Sequence, residues 1–123
     1  MKDRGMMQLA EMAFFTDSVA DMIAFYRRLL AAEPVARSDD MAVFQVGPTR
    51  IFIHRNYRPG EGELPPEQHM AFAVEDLDAA CRTLRGLGLG LEVEPRDYYW
   101  GRSAYLRDPD GHLIELSEME GVD

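Results

Sequence analysis

One cysteine in 123 residues excludes an intrachain disulfide, so the fold must be held by its core. A reducing compartment suits such a chain. The lone thiol, Cys81, falls in a helical pattern with Leu77, Leu84 and Leu87, which reads as a core position rather than a nucleophile. Long apolar runs are absent too. No stretch approaches the roughly 20 residues of a membrane span. The opening Met1-Lys2-Asp3-Arg4-Gly5 carries charge with no apolar stretch of signal-peptide length behind it, so a cytoplasmic protein is expected. Positive charge is in deficit: 13 Lys and Arg stand against 22 Asp and Glu, for a net charge of −9. That excludes nucleic acid and anionic membrane as main partners, since both require a basic face. The acidic surface either favours a neutral or cationic small molecule or simply keeps the protein soluble. An apolar fraction of 46% and a charged fraction of 28% belong to an ordinary globule, and this length makes one domain over residues 1–123.

What is present is a repeat. Met-Ala-Phe occurs twice, as Met12-Ala13-Phe14 and Met70-Ala71-Phe72, each behind a residue able to bind a metal: Glu11 and His69, 58 positions apart. The same offset pairs Val19 with Leu77, Arg27 with Arg85, Leu29 with Leu87 and Val35 with Val93. Module one, about residues 8–55, reads as a strand from Gln8 to Phe15, N-cap candidates Thr16-Asp17-Ser18, and an amphipathic helix from Val19 to Ala32 closed by Pro34. Short strands follow at 35–37, 41–46 and 50–55. Residues 56–67, rich in Pro, Gly and Glu, form a linker. Module two, about residues 68–118, repeats the order: a strand to Val74, a helix from Leu77 to about Leu87 behind Glu75-Asp76, then strands at 91–94, 102–106 and 112–117. Asp108-Pro109-Asp110-Gly111 is a tight turn, which leaves His112 at the surface.

Strand alternation sorts the side chains. Met12, Phe14, Met70 and Phe72 should pack under the helices. The opposite faces then carry Glu11 with Ala13, and His69 with Ala71: a potential ligand beside small residues, the makings of a cleft. If Ile114 and Leu116 pack under the second helix, Glu115 points into that cleft.

Three segments carry a family likeness: Ala24-Phe25-Tyr26-Arg27-Arg28-Leu29-Leu30, His69-Met70-Ala71-Phe72-Ala73-Val74-Glu75-Asp76-Leu77-Asp78, and Arg107-Asp108-Pro109-Asp110-Gly111-His112-Leu113-Ile114-Glu115-Leu116. In that order the chain resembles the vicinal oxygen chelate superfamily of glyoxalases, bleomycin resistance proteins and extradiol dioxygenases, from about Leu9 to Glu118. The resemblance implies an α+β fold in which two tandem βαβββ modules form an open eight-stranded cup. Metal-binding members place one ligand on the first and last strand of each module. His69 and Glu115 match in module two, and Glu11 stands at the first position of module one. Aligning Ile51-Phe52-Ile53 with Ile114-Glu115-Leu116 puts Phe52 where glyoxalases have Glu, with His54 two residues on and on the same strand face.

Glu11, His69, Glu115 and His54 would offer mixed oxygen and nitrogen ligands, a set suited to Zn²⁺, Ni²⁺, Mn²⁺ or Fe²⁺. Such an ion would chelate neighbouring substrate oxygens, with Glu11 or Glu115 as the catalytic base. The expectation is a glyoxalase-like, metal-dependent lyase or isomerase acting on a small oxygenated metabolite. The alternative is a metal-free antibiotic-binding protein, in which Glu115 pairs with an arginine such as Arg102. An extradiol dioxygenase would need His54 as a second histidine ligand. Thiol transfer of the fosfomycin type would need a basic anion pocket, for which the sequence offers only scattered Arg. Arg96 to Arg102 reads as an aromatic loop at the cup's mouth: Tyr99 and Trp100 would stack on a planar substrate, Arg102 would bind a carboxylate, and Phe52, with Phe15 and Phe44, would line or fill the cup. A homodimer is expected, as in many relatives.

Overall fold

The computed structural model describes residues 7–61 and 63–118; the charged opening pentapeptide lies outside them. It is an α+β fold of two βαβββ modules. Its elements are β1 (Met7–Thr16), α1 (Val19–Leu30), β2 (Ala36–Arg37), β3 (Met41–Val46), β4 (Thr49–Arg55), β5 (His69–Val74), α2 (Leu77–Gly86), β6 (Val93–Tyr98), β7 (Gly101–Arg107) and β8 (Leu113–Glu118). No helix among the described residues is long and apolar enough to cross a membrane. Two compact units emerge: residues 11–68 form one, and residues 69–118 together with the start of β1 form the other.

In the first unit the strand order is β2-β3-β4-β1. β1 runs parallel to β4, with Glu11 opposite Arg50 and Ala13 opposite Phe52. β3 and β4 are antiparallel, with Val43 opposite Phe52 and Met41 opposite His54. The apolar stripe of α1 follows its three-and-four spacing: Val19 and Ile23 are buried with Ala42, Phe44 and Ile53, while Met22, Tyr26, Leu30 and Ile51 pack around them. Phe44 therefore belongs to the core under α1 and does not line a cup. Its ring lies 6.1 Å from that of Tyr26, because alternation along β3 puts Ala42 and Phe44 together on the helix side. α1 ends earlier than Pro34 would dictate. Ala31 adopts a left-handed conformation, φ 53°, and closes the last turn onto the Arg27 carbonyl. Val35, expected as the first residue of β2, precedes it but still donates its N–H to the Val43 carbonyl at 2.7 Å.

In the second unit the order is β5-β8-β7-β6. β5 runs parallel to β8, with Ala71 opposite Glu115. β8 and β7 are antiparallel, with Tyr105 opposite Glu115 and Ser103 opposite Ser117. The core joins Leu77, Ala80, Cys81 and Leu84 of α2 to Val74, Ala104, Leu106 and Leu116, with Phe72 and Ile114 against it. Cys81 is thus a core thiol, and burial pushes its pKa up. Asp76 caps α2 by accepting from the Ala79 N–H at 3.0 Å. Glu118, from β8, accepts from the Leu77 N–H at 3.0 Å, so two carboxylates hold one helix start.

The expected loop from Arg96 to Arg102 is a hairpin instead. β6 continues to Tyr98, β7 begins at Gly101, and only Tyr99 and Trp100 form the turn. Gly101, at φ 139°, occupies backbone space that side chains disfavour, which lets so short a connection close. A break in register between Val93 and Arg96 hides the alternation of β6 from the sequence.

Candidate functional site

Module two gathers a connected set of polar groups on the sheet face away from α2. Ile114 and Leu116 pack toward the helix, so Glu115 faces the other way. His69, two residues before Ala71 on β5, brings Nε2 to 3.1 Å from Glu115 Oε1. Ser103, two residues before Tyr105 on β7, donates its hydroxyl to Glu115 Oε2 at 2.7 Å. Glu115 is 8% exposed and Ser103 is fully buried. Burial pushes the Glu115 carboxyl up, but its bonds to His69 and Ser103 outweigh that and hold its pKa below the ordinary value. The Tyr105 ring stands edge-on to His69, with centroids 6.3 Å apart. Tyr98 stacks on Trp100 at 4.4 Å with rings nearly parallel, and the Arg96 guanidinium lies 5.0 Å over Tyr98. Trp100 Nε1 donates weakly to Ser103 Oγ at 3.4 Å.

Ser103 and Tyr105 were not singled out from the sequence. The signal for them is a strand-period argument: both alternate with the core residues Ala104 and Leu106, so they share the face of Glu115 on the neighbouring strand. The same alternation sends Arg102 to the helix face. There it donates to Asp78 of α2 at 3.1 Å and stands 3.5 Å from Asp97. Its carboxylate partners lie within the chain, and Glu115 is held by His69 and Ser103. Tyr99 is 97% exposed at the hairpin tip, and Trp100 is half-exposed beneath it.

In module one, Arg50 Nη2 donates to Glu11 Oε1 at 3.2 Å across the β1–β4 register. His54 Nδ1 donates to the Arg55 carbonyl at 2.7 Å, which fixes the tautomer and leaves Nε2 with the lone pair. Its ring packs with those of Phe15, Phe52 and Tyr57 at centroid distances of 6.1, 5.6 and 5.9 Å. The two registers also show which positions correspond. Ala13 faces Phe52 as Ala71 faces Glu115, so Phe52 is the counterpart of Glu115 and Glu11 that of His69. Met41 opposes His54 as Ser103 opposes Ser117, so Met41 is the counterpart of Ser103. The set His69, Ser103, Glu115 in one module becomes Glu11, Met41, Phe52 in the other.

A divalent ion is the group this fold family implies. Two donors bound to one such ion at about 2.1 Å lie about 3.0–3.4 Å apart at octahedral or tetrahedral angles. The His69–Glu115 separation of 3.1 Å meets that requirement. As a hydrogen bond, Nε2 carries the proton; as a ligand, it gives the proton up. The pair therefore fits an ion as one nitrogen and one oxygen donor. Among the described residues no group of three or more His, Cys, Asp or Glu side chains is gathered for a metal.

A family model described as Glyoxalase/Bleomycin resistance protein/Dioxygenase superfamily matches residues 8–116. The metallothiol transferase FosB of Shouchella clausii is 28% identical over 112 residues, spanning 85% of this chain and 75% of its own. The lactoylglutathione lyase of Pseudomonas aeruginosa is 40% identical over 48 residues, spanning 39% of this chain and 27% of its own. The crystal structure of methylmalonyl-CoA epimerase from Mycobacterium tuberculosis superposes with a TM-score of 0.67 at 24% identity, covering 92% of this chain and 88% of that one, which shows a common fold.

Proposed function

This chain belongs to the glyoxalase, bleomycin resistance protein and dioxygenase superfamily, and from that membership we propose that it is a metal-dependent enzyme of lyase or isomerase type acting on a small oxygenated metabolite. The observation that carries the reading is the His69–Glu115 pair, in which a buried carboxylate meets a partly buried imidazole and whose 3.1 Å separation suits two ligands of one ion. A carboxylate kept ionised in a buried place is a ready donor for a divalent cation. Within module one, Glu11 and His54 are the proposed ligands: the Arg55 carbonyl takes the Nδ1 side of His54, and Glu11 is engaged by Arg50.

A bound divalent ion with open positions would chelate adjacent substrate oxygens and stabilise negative charge developing on them. The chain's own residues do the rest. His69 and Glu115 would hold the ion in module two, with Ser103 fixing the carboxylate. Glu11 and Glu115 are the carboxylates proposed to take a proton beside the substrate carbonyl, Glu11 being the more exposed. The Tyr98–Trp100 stack offers a flat apolar wall for the substrate. Relatives named as a metallothiol transferase and as a lyase are both consistent with metal chemistry. The lyase or isomerase reading is preferred because Arg85, Arg102 and Arg107 of module two are each committed to a carboxylate, so they do not gather into an anion pocket.

Elemental analysis tests the reading. The protein should carry or take up one equivalent of Zn²⁺, Ni²⁺, Mn²⁺ or Fe²⁺, and His69→Ala and Glu115→Gln should each abolish it. Protein that stays metal-free after reconstitution overturns the proposal. The second reading, a metal-free binder of flat or cationic compounds, is favoured by the Glu11–Arg50 ion pair and by the packing of Phe52 against His54. Trp100 fluorescence quenched by such a compound in the presence of a chelator would support it.

A further inference from the structure

We propose that Ser103 is a positioning residue: its hydroxyl grips Glu115 through Oε2, so that Oε1 is the oxygen presented beside His69 Nε2. For its functional consequence this rests on the reading that the His69–Glu115 pair holds a metal. The geometry is that of an anchor. A carboxylate on a strand turns about its last bond unless both oxygens are engaged, and here both are, with the Trp100 side chain adding a weaker hydrogen bond to the carboxylate. Oε2 accepts from Ser103 at 2.7 Å, and Oε1 lies 3.1 Å from His69 Nε2. The two partners come from opposite flanks of β8, with His69 on β5 and Ser103 on β7. A hydroxyl has one proton and two lone pairs. Trp100 Nε1 approaches the acceptor side of Ser103 Oγ at 3.4 Å, which leaves the proton for the carboxylate. The ionised carboxylate can only accept, so the hydroxyl donates to it, and the Trp100 contact agrees with that direction.

The duplicated fold supplies an internal comparison. In module one the counterpart of Glu115 is Phe52, and the counterpart of Ser103 is Met41. The hydroxyl occurs in the module that has a carboxylate to hold, and its place is taken by a thioether in the module that does not. A serine chosen only as a small strand residue has no reason to follow the carboxylate. Partners that orient metal ligands in this way typically change metal affinity 10–100-fold when removed.

The test compares wild type with Ser103→Ala and Ser103→Thr. Each protein is titrated with Co²⁺, whose visible absorption reports the arrangement of its ligands. Ser103→Ala is expected to weaken Co²⁺ binding about 10–100-fold and to change the absorption bands. Ser103→Thr, which restores the hydroxyl on a β-branched side chain suited to a strand, should recover most of the affinity and the wild-type bands. Wild-type affinity and bands in Ser103→Ala would overturn the proposal. If wild type itself binds no Co²⁺, the metal reading fails, and metal-free crystal structures of wild type and Ser103→Ala decide the role of Ser103 separately. A Glu115 carboxylate that swings off His69 in the variant supports positioning. One that stays within about 0.5 Å of its wild-type place refutes it.

Discussion

At the scale of single residues, partners matter more than identities. Three histidines were equally visible in the sequence, and each has a different role because of what its nitrogens meet. His69 meets a buried carboxylate. His54 is turned by the Arg55 carbonyl and shielded by rings. His112 lies exposed in the Asp108–Gly111 turn, with Nδ1 2.9 Å from Asp108 Oδ2. The Asp108 hydrogen bond, and then its charge, raise the His112 pKa above 6.5; the His112 backbone and side-chain hydrogen bonds help to lower the Asp108 pKa. A raised histidine pKa adds stability below the unfolded value, and that stability is lost as pH rises through the folded value. The His112 ring protons should therefore titrate above pH 6.5 by NMR, and Asp108→Asn should bring the midpoint down. A midpoint unmoved by Asp108→Asn would show that the pair does not exist in solution. The exposed place of His112 and the grouping of His69 with Glu115 were legible in the sequence; which atom each nitrogen meets was not, because that depends on side-chain rotamers and, for His69, on a strand far away in the chain.

At the scale of elements the sequence was more informative. The three-and-four spacing of Val19, Met22, Ile23, Tyr26, Leu29 and Leu30 specifies a helix and the face it buries; that face is packed in the core except for Leu29, which lies at its edge and is exposed. Its end was misread, since the chain turns at Ala31 before Pro34 can act. A non-glycine residue at φ 53° carries strain, so Ala31→Gly should raise stability to urea by about 0.5–1 kcal/mol. Equal or lower stability would show that this turn is unstrained. For α2, Asp76→Ala removes the cap on Ala79 and should cost about 1 kcal/mol. Glu118→Gln weakens the second carboxylate at the same helix start and should cost less, because its amide oxygen still accepts from Leu77. The β6–β7 hairpin was hidden for a different reason. The register break after Val93 interrupts the period of two, and three aromatics in a row obscure where the strand stops.

At the scale of the whole molecule, the proposed function turns on whether an ion joins the chain. An ion that binds only the folded protein stabilises it by about 2.7 kcal/mol at one hundred times its dissociation constant. Wild-type protein should therefore melt several degrees higher with saturating Zn²⁺ or Co²⁺ than with chelator, and Glu115→Gln should melt at the same temperature in both. An equal shift in the variant would place the ion elsewhere. The sequence by itself determined that there are two βαβββ modules, because period-two and period-3.6 patterns are local and the duplication repeats them. It also determined that Glu11 and His69 occupy equivalent strand positions, since they precede the same tripeptide. The alignment of Ile51-Phe52-Ile53 with Ile114-Glu115-Leu116 already pairs Phe52 with Glu115, and the strand registers agree with it: Ala13 faces Phe52 as Ala71 faces Glu115. Only the tertiary structure decided that Met41 stands where Ser103 does, because strand register is a pairing between distant segments. It alone gave Arg102 to Asp78 and set Ser103 against Glu115, since which face a strand residue shares depends on the strand beside it.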